Sequence, residues 1–146
     1  MKNLYNLRDW KVNESKISHK KNRFFSIIGI NILTNNREVK KWSQPIIQGK
    51  KLALAGFLIK NYNNTKHYLC RFIIKPGSKS SSVSCTVNTS DLIHYKKNNS
   101  LSKFQKKIIK NYLLNKKNKI LYKNTLSDEG GRFFHNQIKY IGVEID

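Results

Sequence analysis

The chain has 146 residues, of which 38% are hydrophobic and 11% aromatic, a balance that suits a packed domain and excludes a disordered tail. Its formal charge of +21 is carried almost wholly by lysine, since only Arg8, Arg23, Arg37, Arg71 and Arg132 are arginines. No run approaches the ~20 apolar residues of a membrane span, the opening Met1-Lys2-Asn3-Leu4-Tyr5 lacks a signal peptide's apolar core, and Cys70 and Cys85 make no disulfide framework, so a cytoplasmic protein without a membrane partner is expected.

Residues 7–10, Leu-Arg-Asp-Trp, predict a turn of helix leading into the domain. Residues 23–33 are rich in β-branched and aromatic side chains and predict a strand. Asn35-Asn36-Arg37 reads as a turn, after which Trp42 opens an extended segment. Residues 52–60 form a near-continuous apolar run. Its length and the polar stretch 61–65 that follows predict a hairpin strand rather than a buried helix. Its partner strand is expected over 66–75, stopped by Pro76-Gly77. Residues 78–82 read as a flexible Ser/Lys loop, and 83–87 alternate as another strand. From Ser102, a candidate N-cap, Phe104, Ile108, Ile109, Tyr112 and Leu113 recur at helical spacing and predict one main amphipathic helix. Its Lys103, Lys106, Lys107 and Lys110 read as a solvated face rather than a docking stripe. Residues 120–122, 132–134 and 138–145 predict the closing strands. The sum is a single α+β domain over 1–146 with a mixed or antiparallel sheet.

The charge favours anionic partners, but the lysines are scattered along the chain, whereas nucleic-acid readers gather them on one face. Two other segments carry more information. One is Trp42-Ser43-Gln44-Pro45-Ile46-Ile47; the other is Ser127-Asp128-Glu129-Gly130-Gly131-Arg132-Phe133-Phe134, where a double glycine marks a backbone turn that delivers Arg132 beside a buried strand. To these add Ile17-Ser18-His19, Arg23-Phe24-Phe25-Ser26-Ile27-Ile28-Gly29, Glu38-Val39, Gly56-Phe57-Leu58, His67-Tyr68-Leu69, Lys75-Pro76-Gly77 and Thr86-Val87. Taken in chain order, the set resembles the NDP-hexose 2,3-dehydratases of deoxysugar biosynthesis, almost end to end.

The resemblance implies a Nudix-like mixed β-sheet sandwich acting on a nucleotide-linked 4-keto-6-deoxyhexose, usually thymidine-diphosphate-linked. Water is removed across C2 and C3, and no metal or redox cofactor is required. The glutamate-rich helix of metal-dependent Nudix hydrolases is not found in this sequence, so pyrophosphate cleavage is not expected. Typical members carry two tandem copies of the module. This chain holds one, which implies a homodimer or pairing with a second module. It also departs from the family pattern, with Arg71, Lys75, Ser78 and Asn88 at positions where Gln, Glu, Asn and Gln are usual. A non-catalytic nucleotide-sugar module is therefore a second reading, and a basic nucleic-acid-binding domain a third.

The reaction needs a base, a proton donor for the departing hydroxyl and donors for enolate and diphosphate oxygens. Glu129, His67 and Gln44 are the catalytic candidates. Trp42, Ser43, Arg23, Arg132 and Gly131 are the substrate-binding candidates. Each has a plainer alternative: Trp42 as a core aromatic, Glu129 as an arginine partner, Arg132 in a salt bridge with Asp128 or Glu129, His67 as a packed or surface strand residue. His19 and His135 are weaker acid–base candidates, and His67-x-x-Cys70 offers too few ligands for zinc. The reading requires the two signature segments to meet.

Overall fold

A computed structural model describes residues 8–22, 24–49, 52–74, 77–128 and 131–146. The chain divides into two compact units, one from Met1–Lys51 with Ser127–Asn136, the other from Leu52–Leu126 with Gln137–Asp146. No described helix is long and apolar enough to cross a membrane.

The first unit is a four-stranded antiparallel sheet in chain order: β1 (Trp10–Val12), β2 (Lys16–His19), β3 (Ser26–Leu33) and β4 (Lys41–Gln48). The helical turn expected at 7–10 is corrected here, because Trp10 begins a strand; Leu7 lies outside the described residues. Trp10 pairs with His19, and its ring meets His19 edge-on at 5.8 Å and stacks near Phe24 at 6.3 Å. Such cross-strand aromatic packing outweighs a weak local preference for helix.

β4 is the sheet's edge strand, and the Ser127–Asn136 segment closes part of that edge. The Ile47 N–H donates to Arg132 O at 2.9 Å, and the Phe134 N–H donates to Ile47 O at 2.8 Å. The strand expected over 132–134 is thus a single parallel bridge, Ile47 to Phe133. Ile47 turns both its backbone polar groups outward, so by strand alternation Pro45 does the same. Its missing N–H therefore costs no bond to β3, which is why a proline is tolerated there.

The second unit is built on β5 (Leu52–Tyr62), flanked by β6 (Thr65–Tyr68), by β9 (Val87–Thr89) and by the last strand, β11 (Gln137–Glu144), whose outer neighbour is β10 (Ile120–Ser127). β11 runs parallel to β5 while β6 and β9 run antiparallel, so the sheet is mixed. The β5–β6 turn is two residues, Asn63 and Asn64, both at positive φ (48° and 58°), the asparagine-tolerated conformation of a tight hairpin. The partner strand expected over 66–75 is split. The buried Thr86 hydroxyl accepts the Leu58 N–H at 3.0 Å and donates to Leu69 O, displacing a direct ladder bond where β6 ends. The chain then forms a separate ribbon, β7 (Arg71–Ile74) with β8 (Ser81–Ser84), which takes in two serines expected to be loop. The strand expected over 83–87 is divided between β8 and β9.

The predicted helix is present as α1 (Lys103–Ile108), continued by a π turn over Ile109–Leu113. Ser102 and Gln105 form a capping box: the Ser102 hydroxyl accepts the Gln105 N–H at 3.1 Å and Gln105 Oε1 accepts the Ser102 N–H at 2.9 Å. The π turn carries Leu114 N–H to Ile109 O, so Leu113 rather than Tyr112 follows Ile108 on the buried side. Tyr112 and Phe104, expected on the apolar face, are exposed. Ile108, Ile109 and Leu113 join Leu54, Leu58, Val87, Ile141 and Val143 in the core. Gly56 on β5 lies against Leu113, and any side chain there would overlap Leu113 Cδ1. The observed architecture is α+β, dominated by sheet, with one short helix.

Candidate functional site

Alternation along β4 puts Trp42, Gln44 and Ile46 on one face and Ser43, Pro45 and Ile47 on the other. Ile46 is buried and anchors the first face. One step along, the Gln44 side chain is engaged at both ends. Its Oε1 accepts the Trp42 indole N–H at 2.8 Å, and its Nε2 donates to Gly131 O at 2.7 Å. This latch joins positions 87 residues apart in sequence. With the backbone bonds between Ile47 and residues 132 and 134, it brings the two signature segments together.

Gly131 adopts φ +79°, the left-handed conformation that a glycine takes without strain. Its carbonyl is thereby aimed at Gln44 while Arg132 O is held by Ile47. The Gln44 amide keeps one N–H and one lone pair beyond these two bonds. The amide thus joins the indole to the turn. Ser43, on the opposite face, donates to Asn31 Oδ1 of the neighbouring strand at 2.6 Å. Asn136 fastens the end of the segment, its Oδ1 accepting the Gly49 N–H at 3.2 Å.

Trp42 also forms part of an open depression of about 560 Å3, with Asn36, Arg37, Glu38 and Val39 of the β3–β4 connection. The depression sets an aromatic wall beside one guanidinium and one carboxylate, and its size suits a small molecule. Sequence reasoning singles out neither Arg37 nor Glu38 as site residues. The signal available was the motif pair Glu38-Val39 and the turn residue Arg37 just before it. Glu129 and Arg23, two of the expected site residues, lie outside the described residues.

His67 belongs to the second unit. It sits exposed on β6, paired with Lys60, its ring edge-on to Tyr62 at 6.2 Å. The same unit contains a histidine that sequence reasoning missed. Asp91, buried, accepts the His94 N–H at 3.0 Å and lies 3.2 Å from His94 Nδ1, while His94 itself is exposed. The buried carboxylate thus orients an exposed imidazole. The Asp-x-x-His spacing was its only trace in the sequence. Two positions that depart from the family pattern also meet: Arg71 Nη2 donates to Asn88 Oδ1 at 2.6 Å, and Arg71 Nε to Cys85 O at 3.1 Å.

The fold and this latch define a sheet-dominated α+β module whose tryptophan-bearing edge strand is tied to a glycine–arginine turn. The family model for NDP-hexose 2,3-dehydratase matches residues 2–146, and the chain belongs to that family. It is similar to a dTDP-4-dehydro-6-deoxy-alpha-D-glucopyranose 2,3-dehydratase from Saccharopolyspora spinosa, 26% identical over 137 residues, covering 93% of this chain and 28% of that protein. Proteins of the same name from Amycolatopsis orientalis and Streptomyces violaceoruber are each 24% identical over 94% and 90% of this chain. The chain spans 28–29% of the length of these relatives.

Proposed function

We propose that this chain acts as one dehydratase module on a nucleotide-linked 4-keto-6-deoxyhexose, with thymidine diphosphate as the carrier. The observation that carries the reading is the family match across residues 2–146. Three relatives named for that reaction on a dTDP sugar support it.

In this reading the C4 ketone acidifies the C3 proton, which a base removes, leaving the C–H electrons in a C3–C4 enolate. The enolate collapses to a C2–C3 double bond as the C2 hydroxyl departs with a proton from an acid. The resulting enol takes a solvent proton at C2 and gives the 3,4-diketo sugar, so one water is lost overall. Glu129 serves as the base, and His67 is the candidate proton donor. Trp42 stacks on the nucleotide or sugar and Gln44 positions the indole against the Gly131 turn, while Ser43, on the other strand face, reaches substrate only if it gives up its bond to Asn31. Arg23 and Arg132 take the diphosphate, whose oxygens favour the guanidinium fork. The module works in the cytoplasm, adopts a Nudix-like sandwich, and pairs with a second copy or a second module. These role assignments are supported by the chemistry of each residue and by the motif positions they occupy.

The departures from the family pattern motivate a second reading, a module that binds the nucleotide sugar without turning it over. Arg71 and Asn88 occupy two such positions and bond to each other. Incubation with dTDP-4-keto-6-deoxyglucose in heavy water separates the two. Loss of the C2 oxygen with deuterium at C2 is expected. Tight binding without water loss would favour the second reading, and salt-sensitive retention on DNA without affinity for thymidine diphosphate would overturn both.

A further inference from the structure

The second unit holds a depression of about 500 Å3 that neither signature segment lines. Its walls are Tyr95 and Lys96, from the 3-10 turn Tyr95–Lys97, and Lys106, Lys107, Lys110 and Asn111, from α1 and its π turn. Lysine fills 24 of the 146 positions in the chain, about one in six, yet it supplies four of these six.

Among the described residues, none of these four lysines has a carboxylate partner; the lysine ion pair there is Lys119 with Glu144. Four ammonium groups around one concavity repel each other, and an anion of several charges relieves that repulsion more than water does. The wall is also built firmly. The Ser102–Gln105 capping box fixes the start of α1, buried Ile108, Ile109 and Leu113 fix its inner face, and buried Tyr95 fixes the 3-10 turn. The helical lysines thus form part of a concave surface completed by Lys96 from a second element, which helical spacing alone did not reveal.

We propose that this depression binds a compact anion with two adjacent phosphates, as in inorganic pyrophosphate or a nucleoside diphosphate. Its volume lies within the range of small-ligand sites. The proposal is independent of the elimination chemistry and of Glu129, Gln44 and Trp42.

The test is calorimetric titration at physiological salt with pyrophosphate, thymidine diphosphate and thymidine. The native chain is compared with two charge-matched quadruple variants. One carries Lys96→Gln, Lys106→Gln, Lys107→Gln and Lys110→Gln; the other carries Lys11→Gln, Lys21→Gln, Lys60→Gln and Lys66→Gln. Removing four pocket contacts should weaken pyrophosphate binding by about tenfold or more, whereas the control should change it by less than about twofold. Equal losses in the two variants, or none in the first, overturn the proposal. Thymidine should not bind. Only the binding that the pocket variant loses is counted, because binding it keeps belongs to the sugar-nucleotide site. In the lost part, equal affinity for pyrophosphate and thymidine diphosphate identifies the phosphates as the whole ligand, and tighter thymidine diphosphate a nucleotide; both support the site. Thymidine diphosphate and pyrophosphate binding kept in full by that variant overturns the proposal. A single-stranded oligonucleotide that displaces pyrophosphate and binds more tightly overturns it in favour of nucleic acid. Should the pocket variant not fold, protection of the four lysines from acetylation by pyrophosphate on the native chain decides the matter, and unchanged labelling refutes it.

Discussion

Gln44→Ala removes both bonds of the latch, at 2.8 Å to the Trp42 indole and 2.7 Å to Gly131 O. A net hydrogen bond is worth about 0.5–1.5 kcal/mol, so the pair sets an expected loss of about 1–3 kcal/mol. With a urea slope of about 1–3 kcal/mol per molar for a small protein, the midpoint should fall by roughly 1 M. Trp10→Phe gives a background in which Trp42 is the one tryptophan, so its emission follows the site directly. A double-mutant cycle with Trp42→Phe, read by circular dichroism in the native Trp10 background, should give a coupling of about 1 kcal/mol, because both substitutions remove the same indole bond. Gln44→Glu should restore that coupling but not full stability, since it offers an acceptor to the indole and no donor to the Gly131 carbonyl. An unchanged midpoint for Gln44→Ala together with zero coupling would refute the idea that this amide holds the two segments together.

Thr86→Val keeps the shape of the side chain but strands the Leu58 N–H and the Leu69 carbonyl that share its hydroxyl; a loss of about 2–3 kcal/mol is expected by denaturation, with Thr86→Ser far milder. Gly56→Ala presses a methyl against Leu113 and should cost about 1–3 kcal/mol, less than additively when combined with Leu113→Ala. Ser102→Ala opens the capping box and should cost about 1 kcal/mol, read as a lower thermal midpoint. If Glu129 is the base, Glu129→Gln should lower turnover of the keto sugar by about 100-fold or more while leaving the thermal midpoint in place.

The elements that local chemistry dictates could be read from the sequence. The β-branched run 26–33, the apolar run from Leu52, the asparagine turn after it and the Ser102 cap all specify themselves within a few residues. What failed depended on residues far away. The break at Leu69 is decided by Thr86, 17 positions later, and the loss of Tyr112 from the buried face by a π turn that no simple periodicity encodes. Trp10 chose a strand because His19 and Phe24 were waiting for its ring. At the site, the two motif segments are recognisable in the sequence, whereas the engagement of Gln44 by Trp42 and Gly131 needed coordinates to see. His94 escaped notice because a histidine without a visible motif gives no hint that a buried carboxylate stands behind it.

An open strand edge can recruit a strand from another molecule, the route by which sheet proteins polymerise. At the outer rim of β4 the chain has withdrawn two of its own invitations. Ile47 is already occupied by residues 132 and 134, and Pro45 has no proton to offer an intruder. The conspicuous proline of the motif thus also blunts the strand edge. Exchanging it for a residue with a backbone N–H would lengthen the exposed docking rail without touching a single native bond.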